Sequence, residues 1–235
     1  MSKRAVILAG GKGTRLKPYT ISLPKPLVPI GDMPILEIII RKLAKSGFDH
    51  ITITVNHMAD IILAFCGDGS KWGVKVDYSF EDKPLSTMGP LKLIKDLPDN
   101  FLVMNGDVLT DLDFEAFYSE HVAQQNLFTI SAYTRTQKVD YGVLELGDDN
   151  KLVDFVEKPI NHYKVSMGVY MASSKVLDYI PTNQLYGFDH LMLDLIKFKS
   201  PATVRVHSGY WLDIGRPDDY EKACADYERK SVIFI

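Results

Sequence analysis

The start of this chain constrains it most. A short apolar run, Ala5-Val6-Ile7-Leu8-Ala9, breaks into Gly10-Gly11-Lys12-Gly13-Thr14-Arg15-Leu16, and Pro24-Lys25-Pro26-Leu27 follows soon after. A buried strand that ends in closely spaced glycines and then cations is suited to hold a phosphate chain. Glycine lets the backbone approach phosphate oxygens and aim several N–H groups at them. Arg15 can grip two oxygens in a fork, and Lys25 supplies a compact charge between two rigid prolines. A plain strand-to-helix turn would need the glycines but has no use for the paired cations.

Two named phosphate loops are excluded. A Walker A loop needs Ser or Thr after Gly-Lys, and Gly13 stands there; the dinucleotide fingerprint needs a third Gly where Leu16 stands. The net charge of −3 argues against a nucleic-acid or anionic-membrane partner, so phosphate binding must rest on local cations. Cys66 and Cys224 have no metal-ligand spacing and read as reduced thiols of a cytoplasmic protein. The opening apolar run is too short for a signal segment, and no stretch approaches a membrane span.

Strand and helix signals alternate through the first half. Asp32 and Pro34 can start a helix whose stripe is Leu36, Ile39, Ile40, Leu43 and Ala44, with Gly47 placed as its C-cap. Ile51–Val55 reads as a β-branched strand. A short helix through Ile61 and Phe65 stops at Gly67-Asp68-Gly69. Val74, Val76 and Tyr78 alternate as a strand, and Phe101–Met104 is a buried strand ending at Asn105-Gly106-Asp107. This order predicts an α/β fold with a mainly parallel sheet covered by helices on both faces. Ligands of such sheets bind at the carboxyl ends of the strands, where the glycine loop and Asn105-Gly106-Asp107 both fall. The second half is richer in β-structure: 141–146 and 151–156 form a hairpin around Gly147–Asn150, Glu157-Lys158-Pro159 follows, and a strand covers Gly168–Met171. With no linker or repeat, residues 1–235 read as one catalytic domain. The apolar tail Val232-Ile233-Phe234-Ile235 is expected to pack on the domain or on a partner subunit.

The paired motifs Gly10–Leu16 and Pro24–Leu27 resemble the signature of sugar-1-phosphate nucleotidyltransferases, and the likeness runs from Ala5 to about Tyr220. The resemblance implies a Rossmann-like, GT-A-like catalytic fold with a β-rich sugar-binding insertion. It also implies transfer of a nucleoside monophosphate from an NTP to a sugar 1-phosphate, with release of pyrophosphate. Such a reaction is mostly positioning and charge neutralisation, and its anionic nucleophile needs no general base. A Mg²⁺ ion is usually held by one or two carboxylates. Asp107 at a strand end and Asp213 in Trp211-Leu212-Asp213-Ile214-Gly215 are the candidates, and they match the metal aspartates of the family's Gly-Asp and W-x-D-x-G segments.

The resemblance assigns Arg15 and Lys25 to the triphosphate, Lys158 to the sugar phosphate and Glu157 to sugar hydroxyls. Arg15, Lys25, Asp107, Lys158 and Asp213 are thus the expected catalytic set. Nucleotide contacts are expected from Leu8, Ala9, Gly10, Gly11, Gly13, Thr14, Arg15, Lys25, Asn56, Thr87, Gly89, Asn105 and Gly106. Asp107, Gly142, Glu157, Lys158, Ser166 and Gly168 are expected at the sugar phosphate. Pro84–Leu91 resembles the family's L-G-T-A-G-P-L, with Ser86 and Met88 as bulkier replacements that imply either a reshaped pocket or an unusual sugar. Val165–Tyr170 resembles N-A-G-[IV]-Y, with Ser166 and Met167 in place of Asn and Ala. His57 reads as a hydrogen-bonded structural residue. The Val28–Pro34 run leans toward the mannose-1-phosphate guanylyltransferase branch, hence GTP with a mannose- or heptose-type sugar, although uridylyl, cytidylyl and thymidylyl relatives share most of these motifs. An inactive regulatory subunit on the same fold is the alternative, and a glycosyltransferase ranks below it. A homo-oligomer stays open, and neither the C-terminal β-helix nor the CBS domains of some relatives are expected after Asp213.

Overall fold

The elements follow one another as β1 (Arg4–Leu8), β2 (Pro29–Ile30), β3 (Met33–Pro34), α1 (Ile35–Lys45), β4 (His50–Val55), α2 (Ala59–Cys66), β5 (Lys75–Phe80), β6 (Asn100–Asn105), β7 (Val108–Thr110), α3 (Phe114–Ala123), β8 (Phe128–Lys138), β9 (Val143–Leu146), β10 (Leu152–Val156), β11 (Ile160–Ser173), α4 (Phe188–Lys197), β12 (Thr203–His207), β13 (Trp211–Asp213) and α5 (Pro217–Phe234). This computed structural model describes residues 2–200 and 202–234, with the side chains of 230–234 left out. The packing expected of the tail Val232–Ile235 therefore lies outside the described residues.

Seven strands form one sheet in the order β12-β8-β11-β6-β1-β4-β5. β1, β4, β5 and β6 run parallel, as does β12 with β8, while β11 runs antiparallel to both β6 and β8. The expected α/β, mainly parallel architecture is thus present, with one reversed strand in its middle. β1 is central and buried on both faces, which is why it reads as a continuous apolar run. Alternate residues of the strands feed two cores. Ile7, Leu102, Met104, Met171 and Ile53 pack with α1, α2 and α3 and with Leu212 and Ile214. Val6, Phe101, Val103 and Tyr170 pack instead with Met88, Leu91, Tyr186 and α4.

Local sequence explains the ends of the elements. Gly47 adopts φ +81° behind α1, and the bonds Gly47 N–H to Ala44 O (3.0 Å) and Phe48 N–H to Leu43 O (3.0 Å) close that helix. Asp113 caps α3 through Ala116 N–H at 2.9 Å. The β9–β10 hairpin turns where expected, with Gly147 N–H bonded to Lys151 O at 2.9 Å, and every residue of both strands is exposed. Cys66 and Cys224 are free thiols, and burial pushes the Cys66 thiol up to about 12. Among the described residues, no helix is long and apolar enough to cross a membrane.

One buried polar group gives the fold an acid sensitivity. His121 is fully buried in α3, with Nδ1 2.8 Å from Thr129 Oγ1, and burial lowers its pKa from 6.5 to about 4. The unfolded chain therefore binds the proton first. Stability is unaffected above pH 6.5 and falls as pH drops toward 4, by about 3 kcal/mol for this group. Urea unfolding at pH 7.5 and pH 4.5 is expected to show a smaller acid loss in His121→Leu than in the unmodified chain. Equal losses would remove His121 from the explanation.

Candidate active site

Three strand ends meet at the carboxyl edge of the sheet. Leu8 of β1 lies level with Thr54 of β4 and Asn105 of β6. Ala9 N–H bonds to Thr54 O at 3.0 Å and Gly106 N–H bonds to Leu8 O at 2.9 Å, so the glycine loop and the Asn105-Gly106-Asp107 turn lie side by side. Gly13 bends the loop at φ +60°, where a Cβ would sit 3.0 Å from both Lys25 Cβ and Thr20 Cγ2. Thr20 Oγ1 donates to Gly13 O at 2.8 Å. Those contacts hold the loop against the Pro24–Leu27 segment, whose Lys25–Leu27 part is a short 3₁₀ turn.

Asp107 and Asp213 come from distant parts of the chain and are brought together by a small antiparallel pair. β7 pairs β13 with Asp213 opposite Val108, and Ile214 N–H bonds to Asp107 O at 3.0 Å. The Lys25 ammonium pairs with Asp107 Oδ2, with only 11% and 19% of the two side chains exposed. Asp107 Oδ1 is buried with no hydrogen-bond partner. Asp213 is held above the usual carboxylate range by loss of solvation and by the facing Asp107, an effect that Lys25 and Arg15 oppose. Two mutually repelling carboxylates, one of them with a buried oxygen that has no hydrogen bond, could hold a divalent cation. Among the described residues, no group of three or more His, Cys, Asp or Glu gathers in one place.

The carboxylate pair divides two clefts. One, of about 440 Å³, is lined by Leu8, Gly10, Gly11, Asn56, Thr87, Asn105 and Asp107 among the expected nucleotide and metal residues. The other, of about 390 Å³, holds Arg15 and Asp213. Ala9, Gly89 and Gly106 are buried supports: Gly89 N–H bonds to Tyr186 O at 2.8 Å. Thr14 opens the exposed turn that carries Arg15. Thr87 does double duty, since its Oγ1 accepts from Phe188 N–H at 2.8 Å, just where α4 begins.

Beside the carboxylates, β11 is irregular between Ser166 and Tyr170. Ser166 Oγ lies 3.0 Å from Tyr170 OH, and burial pushes this phenol up to about 12, with smaller effects from Asp107 and Asp213. Gly168 has φ +74°, and a Cβ there would fall 2.6 Å from Asn105 Nδ2, so this position holds β11 close to the β6 end. Glu157, Lys158 and Gly142 form a separate group at the foot of the hairpin and line neither cleft. A Cβ on Gly142 would lie 3.0 Å from Glu157 Oε2. Lys158, at φ +47°, puts its ammonium 3.9 Å from Glu157 Oε1, and both side chains are more than half exposed.

The replacements at the looser motifs sort differently than expected. Met88 is fully buried in the second core and does not reshape the cleft. Ser86 does line the cleft, at φ +67°, a conformation that glycine adopts more freely. Met167 is buried and accepts the Trp211 Nε1–H bond at 3.0 Å. His57 is exposed in the turn after β4 and has no hydrogen bond among the described residues, which corrects its expected structural role.

Several side chains at the site carried no signal in the sequence. Glu81 follows β5 and reaches the larger cleft, where a Cβ on Gly10 would lie 2.7 Å from Oε1. Its Oε2 accepts from Leu85 N–H at 3.1 Å, and burial raises its pKa. Arg135, Arg216 and Lys222 line the smaller cleft beside Arg15. No spacing rule links them, although Arg216 directly follows the Trp211–Gly215 segment.

Known proteins resemble this chain in sequence and in fold. Residues 4–230 match the family described as Nucleotidyl transferase. The chain is 35% identical to a UTP–glucose-1-phosphate uridylyltransferase of Synechocystis sp., over 94% of this chain and 62% of the relative. It is 34% identical to a probable mannose-1-phosphate guanylyltransferase 1 of Oryza sativa subsp. japonica, again over 62% of that protein's length. The chain therefore spans under two thirds of these curated relatives. Among solved structures, HddC from Yersinia pseudotuberculosis superposes with a TM-score of 0.74 at 31% identity, covering 96% of this chain and 99% of HddC. HddC has also been solved in complex with GMP-PN, at 30% identity and a TM-score of 0.73. With its sheet, its glycine loop and its facing aspartates accounted for, the chain belongs to the nucleotidyl transferase family.

Proposed function

We propose that the chain transfers a nucleoside monophosphate from an NTP to a sugar 1-phosphate, releasing pyrophosphate and forming an NDP-sugar. The observation that carries this reading is the Asp107–Asp213 pair standing between a glycine-lined cleft and a cation-lined one. The likeness to a uridylyltransferase and a guanylyltransferase, and to HddC with its GMP-PN complex, supports it. Arg15, Lys25, Asp107, Lys158 and Asp213 are all present, which weighs against an inactive subunit.

Asp107 and Asp213 would hold Mg²⁺, and the unpartnered Asp107 Oδ1 fits this role. When bound, the ion supplies charge neutralisation at the phosphates. The protein supplies the rest. Backbone N–H groups of the Gly10–Gly13 loop approach the phosphates, and Arg15 grips the far end of the triphosphate. Lys25, held in place by Asp107, is poised to turn toward phosphate oxygens. Ser166, braced by the buried Tyr170 hydroxyl, offers its own hydroxyl on the side from which the sugar phosphate approaches. Lys158 and Glu157 reach that substrate from the hairpin, as their exposed position allows. The free thiols suit a cytoplasmic protein.

Glu81 favours GTP. A carboxylate offers two adjacent acceptors, and guanine is the base that presents adjacent N1–H and N2–H donors. Glu81→Gln is expected to lower kcat/KM for GTP roughly tenfold to a hundredfold, the value of a charge-assisted hydrogen bond, and to leave UTP nearly unaffected. Equal losses with both nucleotides would remove the base-reading role.

Pyrophosphate release, followed across the common NTPs and a panel of sugar 1-phosphates with Mg²⁺ and with EDTA, tests the reaction. Metal-dependent release with one pair is expected, with GTP and a mannose- or heptose-type sugar first in order. Silence across the panel in a folded protein that binds NTP would favour the regulatory reading.

A further inference from the structure

The smaller cleft holds more positive charge than the assigned roles use. Arg15, Arg135, Arg216 and Lys222 line it, facing only Asp213 and Asp219. None of these four cations has a hydrogen bond or ion pair through its side chain among the described residues. Three separate parts of the chain supply them: the glycine loop, the far half of β8, and the segment from Arg216 into the second turn of α5. Arg15 lies beside the segment that leads into α5, since a Cβ on Gly215 would be 3.5 Å from Arg15 Nη2. One wall is the Tyr133–Trp211 ring pair, with centroids 5.3 Å apart. Unpaired cations converging on a cavity lower the energy of a polyanion there, and the reaction makes one.

Direction follows from the fold. The nucleoside cleft ends at Asp107, and the cationic cleft begins at Asp213 on the adjoining strand. The cationic cleft lies on the sheet face that packs Leu212 and Ile214, whereas Tyr170 packs on the opposite face with Met88 and Tyr186. In-line displacement puts the entering and leaving oxygens on opposite sides of the α-phosphorus. A sugar phosphate entering beside Ser166 and Tyr170 therefore expels its leaving group toward Arg15.

We propose that Arg216, Lys222 and Arg135 receive the departing pyrophosphate in the cleft that Arg15 and Asp213 enter. The sugar-phosphate oxygen forms a bond to the α-phosphorus as the α-phosphorus bond to the bridging oxygen breaks. That electron pair stays on the pyrophosphate, with no proton transfer required. The growing charge meets guanidinium and ammonium groups carried by β8 and by the segment Arg216–Lys222. This assignment rests on the nucleotidyl-transfer reading.

Calorimetric titration with inorganic pyrophosphate at saturating Mg²⁺ tests it without requiring turnover. Arg216→Gln and Lys222→Gln are each expected to weaken pyrophosphate binding roughly tenfold, and the double variant by more. Both side chains are exposed, and unchanged Tm values would exclude misfolding. In the reverse reaction the KM for pyrophosphate rises and the KM for NDP-sugar holds, while Lys158→Ala shows the opposite split. Unchanged pyrophosphate affinity in both variants, or a loss that falls on the sugar 1-phosphate instead, overturns the assignment. An unmodified protein that releases no pyrophosphate from any NTP would count against the parent reading, and the binding data would still decide this one.

Discussion

Asp107→Asn is expected to lower kcat by about three orders of magnitude in a protein that still folds, since metal neutralisation at a phosphate is worth several kcal/mol. Asparagine keeps the volume of the side chain and an oxygen that can accept from Lys25, so the pairing that positions the turn survives in neutral form. What it removes is the charge on Oδ1, the buried oxygen without a hydrogen bond. It also relieves Asp213 of the repulsion that helps raise its pKa, so the remaining carboxylate would return toward its ordinary range. A Mg²⁺ titration of turnover, with Tm measured alongside, checks the prediction. Near-unmodified rates would remove Asp107 from the metal seat, and a collapsed Tm would assign it to the fold instead.

Lys25→Met separates the two duties of that lysine. Its ammonium is mostly covered and paired with Asp107 Oδ2, so the substitution leaves both oxygens of a largely buried carboxylate bare. Breaking such a pair from one side is expected to cost about 3 kcal/mol in metal-free protein. Millimolar Mg²⁺ should restore much of that loss, because the ion no longer shares the carboxylate with an ammonium. Thermal unfolding with Mg²⁺ and with EDTA reads the difference. Turnover should remain low even with metal, since a phosphate cation is gone. Equal Mg²⁺ shifts in the two proteins would mean that Lys25 and the ion do not share Asp107.

These two substitutions also mark where sequence reading reached and where it stopped. Strands β1, β4 and β6 were legible because central parallel strands are buried on both faces and must be continuously apolar. The β9–β10 hairpin was legible from its turn residues. β8 and the full length of β11 were not, because their outer halves leave the core and alternate too weakly to mark their ends. Met88 and His57 went the other way: motif position suggested a pocket wall and a structural bond, and packing put one in the core and the other in water.

By itself the sequence determined the phosphate loop, the strand that ends in it, and the acidic turn at the end of a neighbouring strand. A backbone that must approach phosphate demands glycine and cations within a few residues, so that requirement is written locally. The tertiary structure alone decided that Asp213 faces Asp107, that Lys25 closes onto that pair, and that Glu81 stands over Gly10. It also decided that Arg135, Arg216 and Lys222 converge on one cleft. Those meetings are made by strand pairing and sheet order, which join distant segments without any spacing that a linear reading could detect.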